Sequence, residues 1–135
     1  LRATQAGAKI THNIPKHLII TGNYTLLYSI FHNIVENAIN YVEKAEIIIQ
    51  LTHQDPGNVY FSISDNGQGI PSDALAHIFE RFYRVDKGRS RKAGGTGLGL
   101  SIVKHAVIFH GGKITAVNRT NGGLEFQFSL ARRSK

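Results

Sequence analysis

Three asparagines share one side of an expected helix at residues 31–41, FHNIVENAINY. Apolar residues recur there at the i, i+3, i+4, i+7 spacing of a helix that buries one face, and Asn33, Asn37 and Asn40 follow one another on the other side. Asparagine disfavours helix interiors because its short amide competes for backbone groups, so this stripe favours a function over a merely solvated polar face. Asparagine carbonyl oxygens suit Mg²⁺, which takes few protein ligands and completes its shell with phosphates and water.

A lone acidic group opens the glycine-bearing loop at residues 65–69, DNGQG, directly after an expected strand. An ordinary glycine turn has the same pattern, and that alternative stays open on these residues alone. A buried carboxylate at Asp65 can accept a hydrogen bond from the exocyclic amine of adenine, and it would reject guanine, which presents an oxygen there. Gly67 and Gly69 would let the backbone lie close against a ring.

Four glycines occupy residues 94–99, immediately before a second expected helix. Free backbone N–H groups and the positive helix end make this segment an anion-binding arrangement. It is not a lysine-bearing phosphate loop, because the pattern GxxxxGK[ST] is absent, and it is not a dinucleotide-binding turn, because a basic loop rather than a strand precedes it. A flexible linker is the alternative, which the directly following helix disfavours.

Aromatic residues alternate with cations at residues 78–84, IFERFYR. Arg81 and Arg84 are one helical turn apart and adjoin a basic stretch, where their charges could meet phosphates. For Phe79 the plainer interpretation is a side chain of the core.

Composition narrows the class of protein. The 135 residues, 41% of them hydrophobic, suit one globular domain. We find no membrane-spanning apolar run and no signal peptide, and the lack of Cys excludes disulfides and thiol chemistry. Six of the sixteen cationic residues fall within residues 81–92 and the rest are scattered, so we expect no nucleic-acid partner despite the net charge of +7. Because Met is absent, we expect a fragment of a longer protein.

Periodicity and turn residues predict an α+β domain with helices on one face of a mixed, mainly antiparallel sheet. The expected elements are strands at 9–14 and 17–21, a helix from Asn23 or Thr25 to Tyr41, a hairpin of 46–52 with 58–64, helices at about 72–82 and 98–110, and a hairpin of 113–118 with 124–130. We expect residues 1–8 to be a linker remnant, 9–131 the domain and 132–135 a tail.

In this order the four groups of residues resemble the N, G1, F and G2 boxes of the ATP-binding catalytic domain of sensor histidine kinases, in the GHKL superfamily. The resemblance covers residues 9–130. It implies the Bergerat fold, a two-layer α/β sandwich in which ATP and Mg²⁺ lie between the helices and a lid. It also implies that Asn37 is the Mg²⁺ ligand, that Asn33 supports phosphate and metal geometry, and that Arg84 approaches the γ-phosphate as the third catalytic residue.

For the nucleotide, the resemblance implies that Asp65 binds the adenine amine, Tyr41 packs near the adenine or ribose, and Phe79 anchors the lid. The implied nucleotide-binding residues are Asn33, Asn37, Asn40, Tyr41, Asp65, Gly67, Gly69, Ile70, Phe79, Arg84, Lys87, Gly95, Thr96, Gly97, Leu98, Gly99 and Leu100. The family often has Lys or Arg where this chain has Asn40.

Hydrolytic members of the superfamily carry a water-activating Glu one turn before the metal-binding Asn. This chain has Asn33 there, a neutral amide that cannot act as a general base, so we expect phosphoryl transfer rather than hydrolysis. None of the seven histidines stands in the H-E-x-x-x-P setting typical of the family's phosphoacceptor. The implied partners are dimerisation and phosphoacceptor helices outside this chain and a response regulator.

By the same resemblance, we expect a monomeric, cytoplasmic domain, whose parent protein is membrane-anchored in many members of the family. A regulatory module that binds adenine nucleotide without phosphotransfer is the alternative.

Overall fold

The structure is a computed structural model that describes residues 7–83 and 98–132. Within these residues the strands are β1 (Lys9–Asn13), β2 (Glu46–Gln54), β3 (Asn58–Ser64), β4 (Ile114–Asn118) and β5 (Leu124–Ala131), and the helices are α1 (Tyr24–Tyr41) and α2 (Gly99–Phe109). A single 3-10 turn, Ser72–Ala74, lies between β3 and α2 in this described part.

The strands form one sheet in the order β1-β2-β3-β5-β4. β1 pairs with β2 in parallel, and the three other pairs are antiparallel. The predicted hairpins β2–β3 and β4–β5 are both present, and β5 then pairs with β3 so that Phe61 lies opposite Phe128. The prediction of an α+β domain with a mixed, mainly antiparallel sheet is confirmed.

The core lies between the sheet and the two helices. Alternate residues of the central strands, such as Phe61 and Phe128, are buried, as period-two side-chain alternation requires. Phe31 of α1 meets both of these rings edge-on, with 5.6 Å between ring centroids in each pair. Burying each such side chain contributes about 1.5–3 kcal/mol, so the apolar stripe of α1 is held firmly on the sheet.

The ends of α1 follow from its flanking residues. Asn23 is the N-cap, and its side-chain oxygen accepts a hydrogen bond from the backbone N–H of Leu26 at 3.0 Å. Val42 adopts an extended conformation and ends the helix after Tyr41. The predicted helix is confirmed, and of the two candidate N-caps, Asn23 and Thr25, the structure has Asn23.

Two predicted elements are wrong. Residues 17–21 form no strand, because the described sheet offers them no pairing partner and the backbone turns instead, with Leu18 N donating to Pro15 O at 3.2 Å. Residues 72–82 form no continuous helix. Their backbone hydrogen bonds skip only three residues, as from His77 to Ala74 and from Glu80 to His77, which gives a series of tight turns.

At the C-terminal end, Arg132 is attached to the β2–β3 hairpin. Its backbone N–H donates to Gly57 O at 2.9 Å, and its guanidinium donates to Gln54 Oε1 at 2.8 Å. Of the linker expected at residues 1–8 and the tail expected at 132–135, the structure describes Gly7, Ala8 and Arg132, and the other residues lie outside the described ranges. No helix in the described ranges has the length and apolar character needed to cross a membrane.

Candidate nucleotide-binding site

The asparagine stripe lies on α1, where Asn33, Asn37 and Asn40 are each half-buried. The side-chain nitrogen of Asn33 donates to the carbonyl of Ser29, one turn earlier, at 2.9 Å. Its side-chain oxygen faces the start of α2, because a Cβ atom added to Gly99 would lie 3.3 Å from Asn33 Oδ1. The last glycine of the predicted anion-binding segment therefore lies directly beside the asparagine stripe.

The DNGQG loop lies against the C-terminal end of the same helix. A Cβ atom on Gly67 would come within 2.7 Å of Val42 Cγ2, at the C-cap of α1. Asn33 and Val42 are nine residues apart, or about 13 Å along a helix. Helix α1 thus separates the acidic loop from the first residue of α2 by this length of helix.

Asp65 is buried at 6% exposure, and backbone groups fix its carboxylate. The Oδ1 atom accepts two backbone hydrogen bonds, from Gly67 at 2.9 Å and from Leu124 of β5 at 3.1 Å. The backbone N–H of Asp65 also donates to the Leu124 carbonyl at 3.0 Å. A carboxylate oriented in this way is a strong acceptor for a neutral amine.

Gly69 and Ile70 end the loop. Gly69 has a φ of +77°, and a Cβ atom there would overlap the side-chain oxygen of Asn118. The backbone of Ile70 is hydrogen-bonded to the same Asn118 side chain, and the Ile70 side chain packs on the core. Glycine is required at position 69 by both conformation and space.

Asn118 and Arg119 are contributors to this site that the sequence analysis missed. The Arg119 guanidinium donates to the backbone carbonyl of Asp65 at 2.8 Å. Asn118 is the last residue of β4, and Arg119 follows it, close to the turn at residues 121–123, NGG. Asp65 directly follows β3. Turn chemistry predicted each loop separately, but only the pairing of β3 with β5 brings them to the same edge of the sheet.

The remaining predicted residues fall into three groups. Tyr41 is half-buried as the last residue of α1, and Leu98 and Leu100 are half-buried at the start of α2. Phe79 packs edge-on against Phe126 with 6.0 Å between ring centroids, in agreement with its interpretation as a core side chain. Outside the described residues lie Arg84, Lys87, Gly95, Thr96 and Gly97.

The donors available for a metal ion at this site are neutral amides. In ranges 7–83 and 98–132, no group of three His, Asp or Glu side chains is arranged to hold a metal. Amide oxygens such as that of Asn37 fit a hard cation that takes most of its charge compensation from a ligand's phosphates. This chemistry is compatible with Mg²⁺ carried by a nucleotide.

Comparison with known proteins identifies the class. Residues 22–134 match the protein family described as "Histidine kinase-, DNA gyrase B-, and HSP90-like ATPase". The chain belongs to this family, and it is the catalytic ATPase domain of a histidine kinase.

Relatives of this chain include sensor kinases of several bacteria. The "Sensor-like histidine kinase SenX3" of Mycolicibacterium smegmatis is 38% identical over 95% of this chain and 33% of its own length. The "Signal transduction histidine-protein kinase BaeS" of Escherichia coli is 31% identical over 96% of this chain and 28% of its own. The chain therefore spans about a third of the length of these relatives.

Solved structures show the same fold. The "Mycobacterial sensor histidine kinase MprB" aligns over 99% of this chain and 90% of its own, with a TM-score of 0.84 and 26% identity. Full-length ShkA "in complex with AMPPNP" aligns over 99% of this chain and 28% of its own, with a TM-score of 0.78 and 31% identity.

Proposed function

We propose that this domain binds Mg-ATP along α1, with the adenine base at the Asp65 end and the triphosphate at the Asn33–Gly99 end. The observation that carries the proposal is the pair of close approaches made by Gly67 to Val42 and by Gly99 to Asn33. These approaches place an oriented carboxylate at the C-terminal end of α1 and the N-terminus of α2 beside Asn33 of the asparagine stripe. The AMPPNP complex of ShkA, a structural relative, supports the same use of the fold here.

Adenine selectivity follows from the chemistry of Asp65. Its Oδ1 atom is held by two backbone N–H groups, so the carboxylate is oriented before any ligand binds. The exocyclic amine of adenine donates to such a carboxylate, whereas the guanine oxygen would leave two acceptors facing each other. Gly67 and Gly69 let the loop pack closely against Val42 and Asn118. We assign the backbone of these glycines, with Tyr41 at the end of α1, to the surroundings of the ring.

For the phosphates, we assign Mg²⁺ to the amide oxygen of Asn37, with Asn33 and Asn40 beside it on α1. When bound, the cation neutralises charge on the phosphate oxygens. The backbone N–H groups at the N-terminus of α2, from Leu98 to Leu100, favour negative charge. Arg84, Lys87 and residues 95–97 complete this assignment by resemblance to the family.

The reaction that we propose is transfer of the γ-phosphoryl group to a histidine of the parent protein. A ring nitrogen attacks the γ-phosphorus, the P–N bond forms as the bond to the bridging oxygen breaks, ADP leaves with that electron pair, and the imidazole proton passes to solvent. Water is not activated at position 33, because Asn33 is a neutral amide whose nitrogen is engaged with Ser29 O at 2.9 Å.

The partners of the reaction belong to the rest of the parent protein. Because the chain spans about a third of its relatives, we propose that a separate dimerisation and phosphoacceptor segment supplies the histidine. A response regulator would then take the phosphoryl group. We assign the ATP-binding domain to residues 9–131 and expect it to be monomeric in isolation and cytoplasmic in the parent protein.

The test is transfer of label from Mg-ATP carrying ³²P at the γ-position to the native acceptor segment. We expect acid-labile label on that segment with the wild-type domain, and none with Asn37→Ala, which removes the proposed metal ligand. Label released only as inorganic phosphate would contradict phosphotransfer. ATP binding without either product would support the regulatory alternative.

A further inference from the structure

We propose that Asn118 and Arg119 are positioning residues that hold the DNGQG loop in its adenine-binding shape and thereby determine base selectivity. The proposal rests on the function proposed above. Both residues belong to the β4–β5 turn, here defined as residues 118–123, which lies outside the four groups of residues that suggested a nucleotide site.

Asn118 binds one end of the loop through both atoms of its amide. Its oxygen accepts from the Ile70 backbone N–H at 2.9 Å, and its nitrogen donates to the Ile70 carbonyl at 2.7 Å. This pair of bonds copies the way two antiparallel strands pair. Because Asn118 is exposed, its role here is hydrogen bonding rather than core packing.

Arg119 binds the other end of the loop. Its guanidinium donates to the backbone carbonyl of Asp65 at 2.8 Å. Gly123 has a φ of +101°, and a Cβ atom there would overlap the Asp65 carbonyl oxygen. The β4–β5 turn therefore lies directly against the residue that we assign to the base.

Between these two attachments the loop is also held to β2, because the Glu46 N–H donates to Asn66 Oδ1 at 2.8 Å. Two of the four intervening residues are glycines, which adopt many backbone conformations when unrestrained. Losing either attachment would let Asp65 and the backbone beside it shift relative to the base. Neither Asn118 nor Arg119 needs to touch the nucleotide, so the expected effect is on recognition of the base and not on the triphosphate.

The experiment compares binding of Mg-ATP and Mg-GTP to Asn118→Ala and Arg119→Ala by competition with a fluorescent nucleotide. We expect ATP to bind about tenfold more weakly to each variant, while GTP affinity stays within about twofold, so that the ATP-to-GTP ratio falls. Arg119→Lys, which keeps a charged donor, is expected to recover part of the wild-type ratio of ATP affinity to GTP affinity. Asn121→Ala, at an exposed position of the same turn, is the control and should retain the full wild-type affinity ratio.

Thermal unfolding of each variant shows whether the fold is retained. Unchanged ATP affinity, or equal weakening of ATP and GTP, would overturn the positioning role. A wild-type domain that binds neither nucleotide would instead overturn the proposed function on which this inference rests.

Discussion

Gly99 lies against Asn33, so that a Cβ atom on the first residue of α2 would be 3.3 Å from the side-chain oxygen in the middle of α1. The two residues are 66 positions apart in sequence, and each belongs to a different group of candidate site residues. Their contact places the asparagine stripe directly beside Gly99, the last glycine of residues 94–99.

Gly99→Ala should weaken Mg-ATP binding several-fold without lowering stability. The methyl group would press on the Asn33 amide, while alanine is preferred over glycine in helices by up to about 1 kcal/mol. Calorimetric titration and urea unfolding check the two effects separately. Lys104→Ala, at an exposed position of α2, is the control for helix substitutions. Full ATP affinity in Gly99→Ala would show that this contact has no part in binding.

Asp65→Asn should abolish detectable ATP binding and preserve the fold. The asparagine oxygen can still accept the N–H groups of Gly67 and Leu124, but an amide nitrogen would then face the adenine amine. Asp65→Ala leaves those two N–H groups without their acceptor and should cost about 1–3 kcal/mol of stability as well. Calorimetry and urea unfolding of the pair separate recognition from folding, and ATP affinity within a few-fold of wild type in Asp65→Asn would refute the adenine assignment.

His110 joins the start of α1 to the end of α2. It is buried, its Nε2 atom accepts from the Asn23 N–H at 3.0 Å, and its Nδ1 atom donates to Ala106 O at 2.8 Å. A Cβ atom on Gly22 would lie only 2.5 Å from the imidazole ring. We therefore expect Gly22→Ala to destabilise the domain by about 1–3 kcal/mol through overpacking.

Gly57→Ala is the matched control for that substitution, because the nearest atom to its added Cβ is Asp55 Oδ1 at 3.6 Å, an ordinary contact. Its urea midpoint should stay close to that of the wild type. Equal midpoints for the two alanine variants would mean that the imidazole of His110 moves aside without loss of stability, and that it does not hold the helices together.

Acid stability should depend on Asp55 in the β2–β3 turn. Backbone N–H groups of Asn58 and then Gly57, at 2.7 and 2.8 Å, hold the pKa of Asp55 below its usual value of 3.8. Stability from this carboxylate is therefore complete above the unfolded-state pKa and is lost as pH falls through the lower folded-state pKa. Asp55→Asn should flatten the decline in urea midpoint between pH 6 and pH 3, whereas a decline parallel to that of the wild type would contradict this origin.

Much of the fold was predictable because its signals are local. The period of α1, its Asn23 cap and the glycine-bearing turns of both hairpins act within a few residues. The strand predicted at residues 17–21 is wrong because strand formation is not decided locally. The apolar pattern of these residues resembles a strand, but a strand also needs a pairing partner, which the sequence does not specify. At residues 72–82 the local signals favour a helix, and they do not distinguish hydrogen bonds between residues three apart from the four-residue bonds of a regular helix.

The residues of the candidate site also divide into those with a local signal in the sequence and those without one. Asp65 and the asparagines were found because their residue types are unusual for their expected elements. Asn118 and Arg119 were missed because polar residues beside a turn are ordinary, and their significance depends on the β3–β5 pairing. The role of His110 has no local signal in the sequence, because its bond to Asn23 crosses 87 positions.

The most direct measurement of whether these elements form one nucleotide site is a titration of the ¹⁵N-labelled domain with Mg-ATP, followed by two-dimensional NMR. We predict that the backbone signals of Gly67, Gly69 and Gly99 and the side-chain amide of Asn37 shift together, with one common dissociation constant. Shifts limited to one end of α1, or two ends that saturate independently, would contradict a single site.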